Sequence, residues 1–291
     1  MNSLGVSLAV LAAAVVFSFL AGLFTRNYSQ VDRLWSVLPP VYVLIWLPGF
    51  TDNPRFLIAA FLVLAWGIRL TWNFARRGGY AWEKGRGFTG EDYRWEVLRG
   101  RIPNRFLFEL FNLSFISFFQ LALVFAITFP VYLCGLHNSP LTPLDGLLFL
   151  LHMLLLFTET AADNQQFAFH RDKGKPENRN NPRYALGFNT LGLWERSRHP
   201  NYLCEMSQWV VVFLYAVSAA GTLLPSPVPS AGLAPLILIV LFTGSTVMTE
   251  GITLSKYPRF REWRKVTPPW IPVSLPGSRR RRREFLEKLG S

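Results

Sequence analysis

Apolar residues in this chain gather into long runs separated by short polar stretches. Seven runs stand out, at roughly 4–24, 34–50, 56–74, 106–134, 144–162, 203–223 and 232–250. A bilayer crossing takes about 20 residues of helix, and most of these runs reach that length. The second is short, and Pro39, Pro40 and Pro48 blur its ends. The first has no basic leader and no small-residue cleavage site, so it reads as a retained span. The pattern therefore predicts an all-α polytopic membrane bundle of about seven helices: one domain over 1–270, then a basic tail at 271–291. Composition agrees, since only 16% of the 291 residues are charged, against about 25% in soluble domains. Mean hydropathy is +0.24.

A net charge of +12 would suggest a nucleic-acid partner in a soluble chain. Its distribution points elsewhere. Lys and Arg cluster at 25–33, 75–105, 163–200 and after 255, while the other connections hold only Arg55. With seven spans, the four basic segments fall on one face. The positive-inside rule makes that face cytosolic, with the N-terminus outside and the C-terminus inside. Asn27-Tyr28-Ser29 matches a glycosylation acceptor but lies on the cytosolic side of this topology. Cys134 and Cys204 fall at opposite ends of their spans, which excludes a disulfide between them. The Pro-rich stretch 224–235 fits a short outer hairpin. The block Arg279–Arg283 reads as a topology clamp against anionic headgroups, with a sorting signal as the alternative.

Polar residues inside membrane spans are costly and mark cavities or functional paths. Here they form stripes at helical spacing: Arg69, Asn73 and Arg76; Glu159, Asp163, Gln166 and His170; Asn201, Glu205 and Gln208; Thr246, Glu250 and Thr253. Each stripe follows one helix face. Each also sits at the cytosolic end of its span, which predicts one polar chamber. Glu205, near a helix start, also suits the helix dipole, and Arg69 has a stem long enough to snorkel. The four histidines are scattered and the two cysteines are apart, so the pattern offers no metal site. Residues 85–90 match GxGxxG, but no strand precedes them and no βαβ unit surrounds them. What remains suits a large polar cofactor held beside an apolar, lipid-like substrate.

The stretches "GLWERSRHPNYLCEMSQW", "ETAADNQQFAFHRD" and "SKYPRFREWRKVTPPWIP", with "VDRLWS", "WGIRLTWNFARR" and "GEDYRW", resemble the DUF1295 branch of the steroid 5-alpha-reductase-like membrane family. The RHPNY patch is also similar to one in isoprenylcysteine and phospholipid methyltransferases. The resemblance implies NADPH in the cytosolic half and a hydrophobic enone in the membrane half. It implies that Asp163, Asn201 and Glu205 hold the cofactor, with Arg198, His199, Tyr202, Glu250 and Tyr257 extending that site. By motif position Asp32 and Trp66 stand where the steroid reductases place a Glu and a Tyr on the substrate carbonyl, and Arg69 lies three residues beyond. An indole only donates a hydrogen bond, so Trp66 points away from a steroid 3-ketone. The histidine-rich cofactor segment of those enzymes is replaced by "GSTVMTEGITL". The expectation is an NADPH-dependent reductase of a carbon–carbon double bond in a sterol- or isoprenoid-like lipid, with Asp32, Trp66 and Arg69 as catalytic candidates. Its membrane would be the endoplasmic reticulum in a eukaryote or the inner membrane in a bacterium. The alternatives are an S-adenosylmethionine-dependent membrane methyltransferase and a non-catalytic lipid-binding protein of the same fold.

Overall fold

A computed structural model describes residues 2–85, 87–178, 180–221, 228–273 and 277–288. Residues 222–227 of the Pro-rich connection and Arg86 of the glycine-rich segment lie outside these. The regular structure of the described residues is helical apart from one two-stranded ladder. In order it forms α1 (Ser3–Thr25), α2 (Gln30–Trp35), α3 (Leu38–Trp46) with a 3-10 turn Leu47–Gly49, and α4 (Pro54–Arg76). Strands β1 (Trp82–Glu83) and β2 (Gly87–Phe88) follow, then α5 (Tyr93–Arg101), α6 (Arg105–Phe111), a π-helical stretch Asn112–Phe119, and α7 (Gln120–Leu136). The remainder is α8 (Pro143–Lys173), α9 (Pro182–Ala185), α10 (Leu193–Arg196), α11 (Pro200–Ala220), α12 (Val228–Ala231), α13 (Leu233–Lys256), α14 (Phe260–Val266) and α15 (Ser278–Glu287).

Among the described residues, six helical segments are long and apolar enough to cross a membrane: α1, α4, Arg105–Leu136, α8, α11 and α13. At 1.5 Å per residue a 23-residue helix such as α4 spans about 34 Å, enough for a hydrocarbon core of about 30 Å. Large apolar side chains project outward from them, among them Phe24, Phe61, Leu150, Phe157 and Val240. In water such a surface would drive association, whereas in lipid it is solvated. The chain is an integral membrane protein with an all-α polytopic fold.

The expected second span is the exception, because residues 34–50 do not form one helix of spanning length. They nevertheless run antiparallel to α4. Ser36 Oγ lies 2.7 Å from Thr71 Oγ1, Pro40 packs against Gly67, and the Phe50 and Phe56 rings lie 5.1 Å apart. Prolines lack an N–H and clash with the preceding turn, so Pro39, Pro40 and Pro48 break this pass into short pieces.

The chain divides into two compact units, residues Met1–Met153 with Trp209–Leu238 and residues Leu154–Gln208 with Ile239–Ser291. The tail forms α15, whose Phe285 joins Leu186, Phe188, Phe260, Trp263 and Val266 in a core of the second unit.

In the first unit a buried ion pair secures one end of α4. Arg55 Nε and Nη2 donate to the two Asp145 carboxylate oxygens at 2.8 and 2.9 Å. Arg55 also donates to Ser139 Oγ at 2.5 Å and the Pro140 carbonyl at 2.7 Å. Asp145 further accepts from Thr142 N and Ser218 Oγ. Beside it, Asn53 accepts from Phe56 N at the start of α4 and donates to the Cys134 and His137 carbonyls that end α7. The orphan groups of two helix termini are thereby satisfied by one side chain.

At the other end of α4, residues 79–95 latch onto residues 26–33. Arg33 donates to the Gly79 and Gly90 carbonyls. Asn27 donates to the Phe88 carbonyl at 2.9 Å, and Tyr28 N donates to Glu91 at 2.9 Å. The glycine-rich segment is a hairpin turn, with Trp82 opposite Phe88 and positive φ at Gly85 and Gly87. That conformation is easy only for glycine, so these glycines serve a turn and no phosphate loop. Asn27 is buried with its amide engaged, which by itself disfavours a glycan there.

Candidate functional site

The three catalytic candidates lie in the first unit. Asp32 belongs to the latch: Trp95 Nε1 donates to its Oδ2 at 2.8 Å, and an Arg94 guanidinium nitrogen lies 3.6 Å from Oδ1. Burial pushes its carboxyl above the usual range, while Arg94 pulls the other way. The motifs VDRLWS and GEDYRW are thus two halves of one structure. Trp66 is 1% exposed and packs edge-to-face on Trp209, ring centres 4.8 Å apart. Arg69 and Asn73 are buried on the same face of α4, and Arg76 donates to Asn73 Oδ1 at 2.7 Å.

All eight cofactor candidates fall in the second unit, on or beside α8, α11 and α13. Asn201 Nδ2 donates to Asp163 Oδ1 at 3.2 Å. Two turns further along α11, Gln208 Nε2 donates to Glu159 Oε2 at 2.6 Å. Asp163, Glu159, Glu205 and Gln208 are all buried. The stripes predicted on α8 and α11 therefore meet, each amide of one against a carboxylate of the other.

Glu250 of α13 forms a second node. Its carboxylate accepts from Arg198 Nε at 2.7 Å and from Arg264 at 2.9 Å, and His199 Nε2 lies 2.9 Å from it. The backbone fixes this arrangement. Arg198 N and His199 N donate to the Pro268 and Pro269 carbonyls at 3.0 and 2.9 Å, so the segments before α11 and after α14 run side by side. Pro200 then opens α11, where its missing N–H is no loss. Tyr202 stacks on His199 with ring centres 5.2 Å apart. Two arginines against one carboxylate leave this node cationic even with a neutral His199.

Tyr257 stands over Gly187, and Lys173 Nζ donates to its hydroxyl at 2.7 Å. Gly187 has φ +82°, and an added Cβ would lie 2.0 Å from the tyrosine ring. Gly187→Ala is therefore expected to cost about 1–3 kcal/mol from strain and overlap. Thermal unfolding in detergent checks this, and a neutral outcome would show that the Tyr257 ring moves aside freely.

Sequence reasoning missed Arg264, Gln165 and Trp194. Gln165 accepts from Leu193 N at 2.9 Å, and Trp194 Nε1 donates to the Ala162 carbonyl at 2.9 Å, which seats α10 on α8. Gln165 stands beside the α8 stripe, and Arg264 lies on the short helix α14, outside the membrane spans whose polar stripes were read. No helical pattern could single them out.

Several buried polar atoms of this unit carry no hydrogen-bond partner within the protein: Asn201 Oδ1, Gln208 Oε1, Gln166 Oε1, Asn189 Nδ2 and Thr267 Oγ1. Native structures leave few such groups, and each calls for an explanation.

The family described as "Protein of unknown function (DUF1295)" matches residues 18–267. The chain belongs to the DUF1295 family. It is also 33% identical over 269 residues to "Uncharacterized protein C594.04c" of Schizosaccharomyces pombe (strain 972 / ATCC 24843), which covers 86% of this chain and 74% of that relative. No solved structure matches the chain. The DUF1295 match takes in every candidate residue from Asp32 to Tyr257, the latch and the Glu250 node included.

Proposed function

We propose that this DUF1295 protein is a membrane-embedded NADPH-dependent reductase of a carbon–carbon double bond in a hydrophobic enone of sterol or isoprenoid type. The observation that supports it most is the Asp163–Asn201 pair, whose amide oxygen finds no partner within the protein, as also holds for the amide oxygens of Gln208 and Gln166 on α11 and α8. Open acceptors of this kind suit a carboxamide N–H or ribose hydroxyl, and the cationic Glu250 node suits phosphates. The donor set thus fits a dinucleotide. Bound NADPH supplies the hydride.

The chain's own residues do the rest. Asp163, Asn201 and Glu205 would hold the cofactor's polar end, and Arg198, His199, Tyr202 and Tyr257 would frame the rest of it. Glu250 positions Arg198 and His199. In the first unit, buried Arg69 is the cation best suited to an enone oxygen, where a preorganised positive charge favours a developing enolate. Asp32, already engaged by Trp95 and Arg94, would serve by holding the latch together. The apolar outer surface admits a lipid directly from the bilayer. The proposed topology keeps the second unit's polar end on the cytosolic side, in the endoplasmic reticulum or the bacterial inner membrane.

Titration of the purified protein with NADPH tests the reading. Binding in the micromolar range is expected, weakened about tenfold in Asn201→Ala, on the scale of one lost hydrogen bond. Binding of S-adenosylmethionine in place of NADPH would establish the methyltransferase reading instead. Absence of binding to both ligands would leave a lipid-binding protein.

A further inference from the structure

The basic block near the C-terminus does more than coat a surface. Helix α15 encloses, with residues 195–196 and Pro272, a cleft of about 560 Å³ lined by Glu195, Arg196, Pro272, Arg279, Arg282, Arg283 and Leu286. Four arginines and one glutamate are thus gathered around it. Arg282 is 7% exposed and is fixed by donating from Nη1 to the Glu195 carbonyl at 2.8 Å. Burial foremost, with repulsion from Arg279 and Arg196, draws its pKa below the usual range, and Glu195 opposes this.

The helix itself is anchored. Phe285 packs on Trp263 with ring centres 5.4 Å apart, and the Arg259 guanidinium lies over its ring. The arginines are divided by function along α15. Arg280 is neutralised by Glu284 at 2.8 Å, and neither Arg280 nor Arg281 lines the cleft. Collecting four like charges around one cavity is electrostatically unfavourable unless an anion enters it. Guanidinium forks match phosphate oxygens two at a time.

We propose that this cleft is a polyphosphate site, binding a ligand that carries two or more phosphate groups. It is distinct from the Asp163–Asn201 and Glu250 cluster and does not rest on the reductase reading. Two sources supply such a ligand, a phosphoinositide headgroup or a soluble polyphosphate. The exposed Ile271 and Val273 that flank Pro272 give a lipid-borne ligand apolar side chains to lie against.

The test uses the full chain in detergent with inorganic pyrophosphate and dioctanoyl phosphatidylinositol bisphosphate as probes, read by calorimetry. Arg279→Gln with Arg283→Gln removes two cleft charges at exposed positions, and Arg280→Gln with Arg281→Gln removes two charges from the same helix outside the cleft. The first pair is expected to weaken pyrophosphate about tenfold or more, and the second less than about threefold. A second variant, Arg196→Gln, reaches the cleft from α10 and should weaken binding as well. Tighter binding of the lipid probe than of pyrophosphate assigns a headgroup, and equal affinity assigns a soluble ligand. Equal losses from the two double variants, or no wild-type binding at millimolar probe, overturn the proposal. So does a parallel loss of NADPH affinity in the Arg279/Arg283 variant, which would make the cleft part of the dinucleotide site.

Discussion

Alanine at Asp145 is expected to destabilise the protein by about 3–5 kcal/mol, the usual consequence of stripping one partner from a buried ion pair. For a chain of this size that corresponds to a fall of about 10 °C in unfolding temperature. The Arg55 side chain has no water to fall back on, being fully buried. Its remaining acceptors, Ser139 and the Pro140 carbonyl, are neutral. Asp145 also holds Thr142 N and Ser218 Oγ, so the loss extends to the loop before α8 and to α11. Asp145→Asn keeps a shape that can still accept from Thr142 N and should lie between wild type and alanine. The combined Arg55→Met, Asp145→Asn variant should be less damaged than Asp145→Ala alone, because no uncompensated charge remains. Tryptophan fluorescence during heating in detergent measures all three. Additive losses in the double variant would mean that Arg55 and Asp145 act separately.

Alanine at Glu250 carries the largest expected effect on ligand binding. Three groups depend on that carboxylate: Arg198, His199 and Arg264. Arg264 is 44% exposed and can turn to solvent, whereas Arg198 is 9% exposed and cannot. The cost therefore falls on Arg198, at about 2–4 kcal/mol for a partly buried charge that loses its partner. Because Arg198 and His199 lead into α11, their displacement should also shift Asn201. NADPH affinity is expected to fall about 100-fold, equivalent to about 2.7 kcal/mol. Glu250→Gln keeps two hydrogen-bonding atoms but no charge, and should bind more weakly than wild type and more tightly than alanine. Unchanged affinity in Glu250→Ala would confine Glu250 to stability and remove it from the binding site.

The membrane character and the polar stripes were legible because both rest on periodicity. Glu159, Asp163, Asn201 and Gln208 recur at helical spacing, and the structure joins them in two hydrogen bonds. Arg55 appeared in sequence as a stray cation among connections otherwise without Lys or Arg. Its partner was marked by a signal that went unread: Thr142 and Asp145 have the spacing of a capping box before an apolar run, and Thr142 N does donate to Asp145. The broken second pass was visible in its three prolines, but that it would still lie along α4 depends on packing at Gly67 and Thr71, which no local pattern encodes. Asp32 illustrates the limit of motif reading. The segment around it matched, yet its neighbours Trp95 and Arg94 come from about sixty residues away. The order of motifs along the chain cannot reveal that they form one latch.

The division of the chain also governs how it can be made. Each unit is assembled from two separate stretches, and the second unit needs residues from Ile239 onward. During synthesis, Arg198 and His199 emerge well before Glu250, so the Arg198 guanidinium, bound for a buried node, must wait without its carboxylate. Likewise Asp145 reaches the membrane before Ser218 does. The nascent protein thus passes through a period in which its costliest polar groups are exposed to lipid or to the insertion machinery. A premature stop between residues 199 and 250 leaves Arg198 permanently without that partner. Such truncated products should be cleared by quality control and should not accumulate as partial proteins.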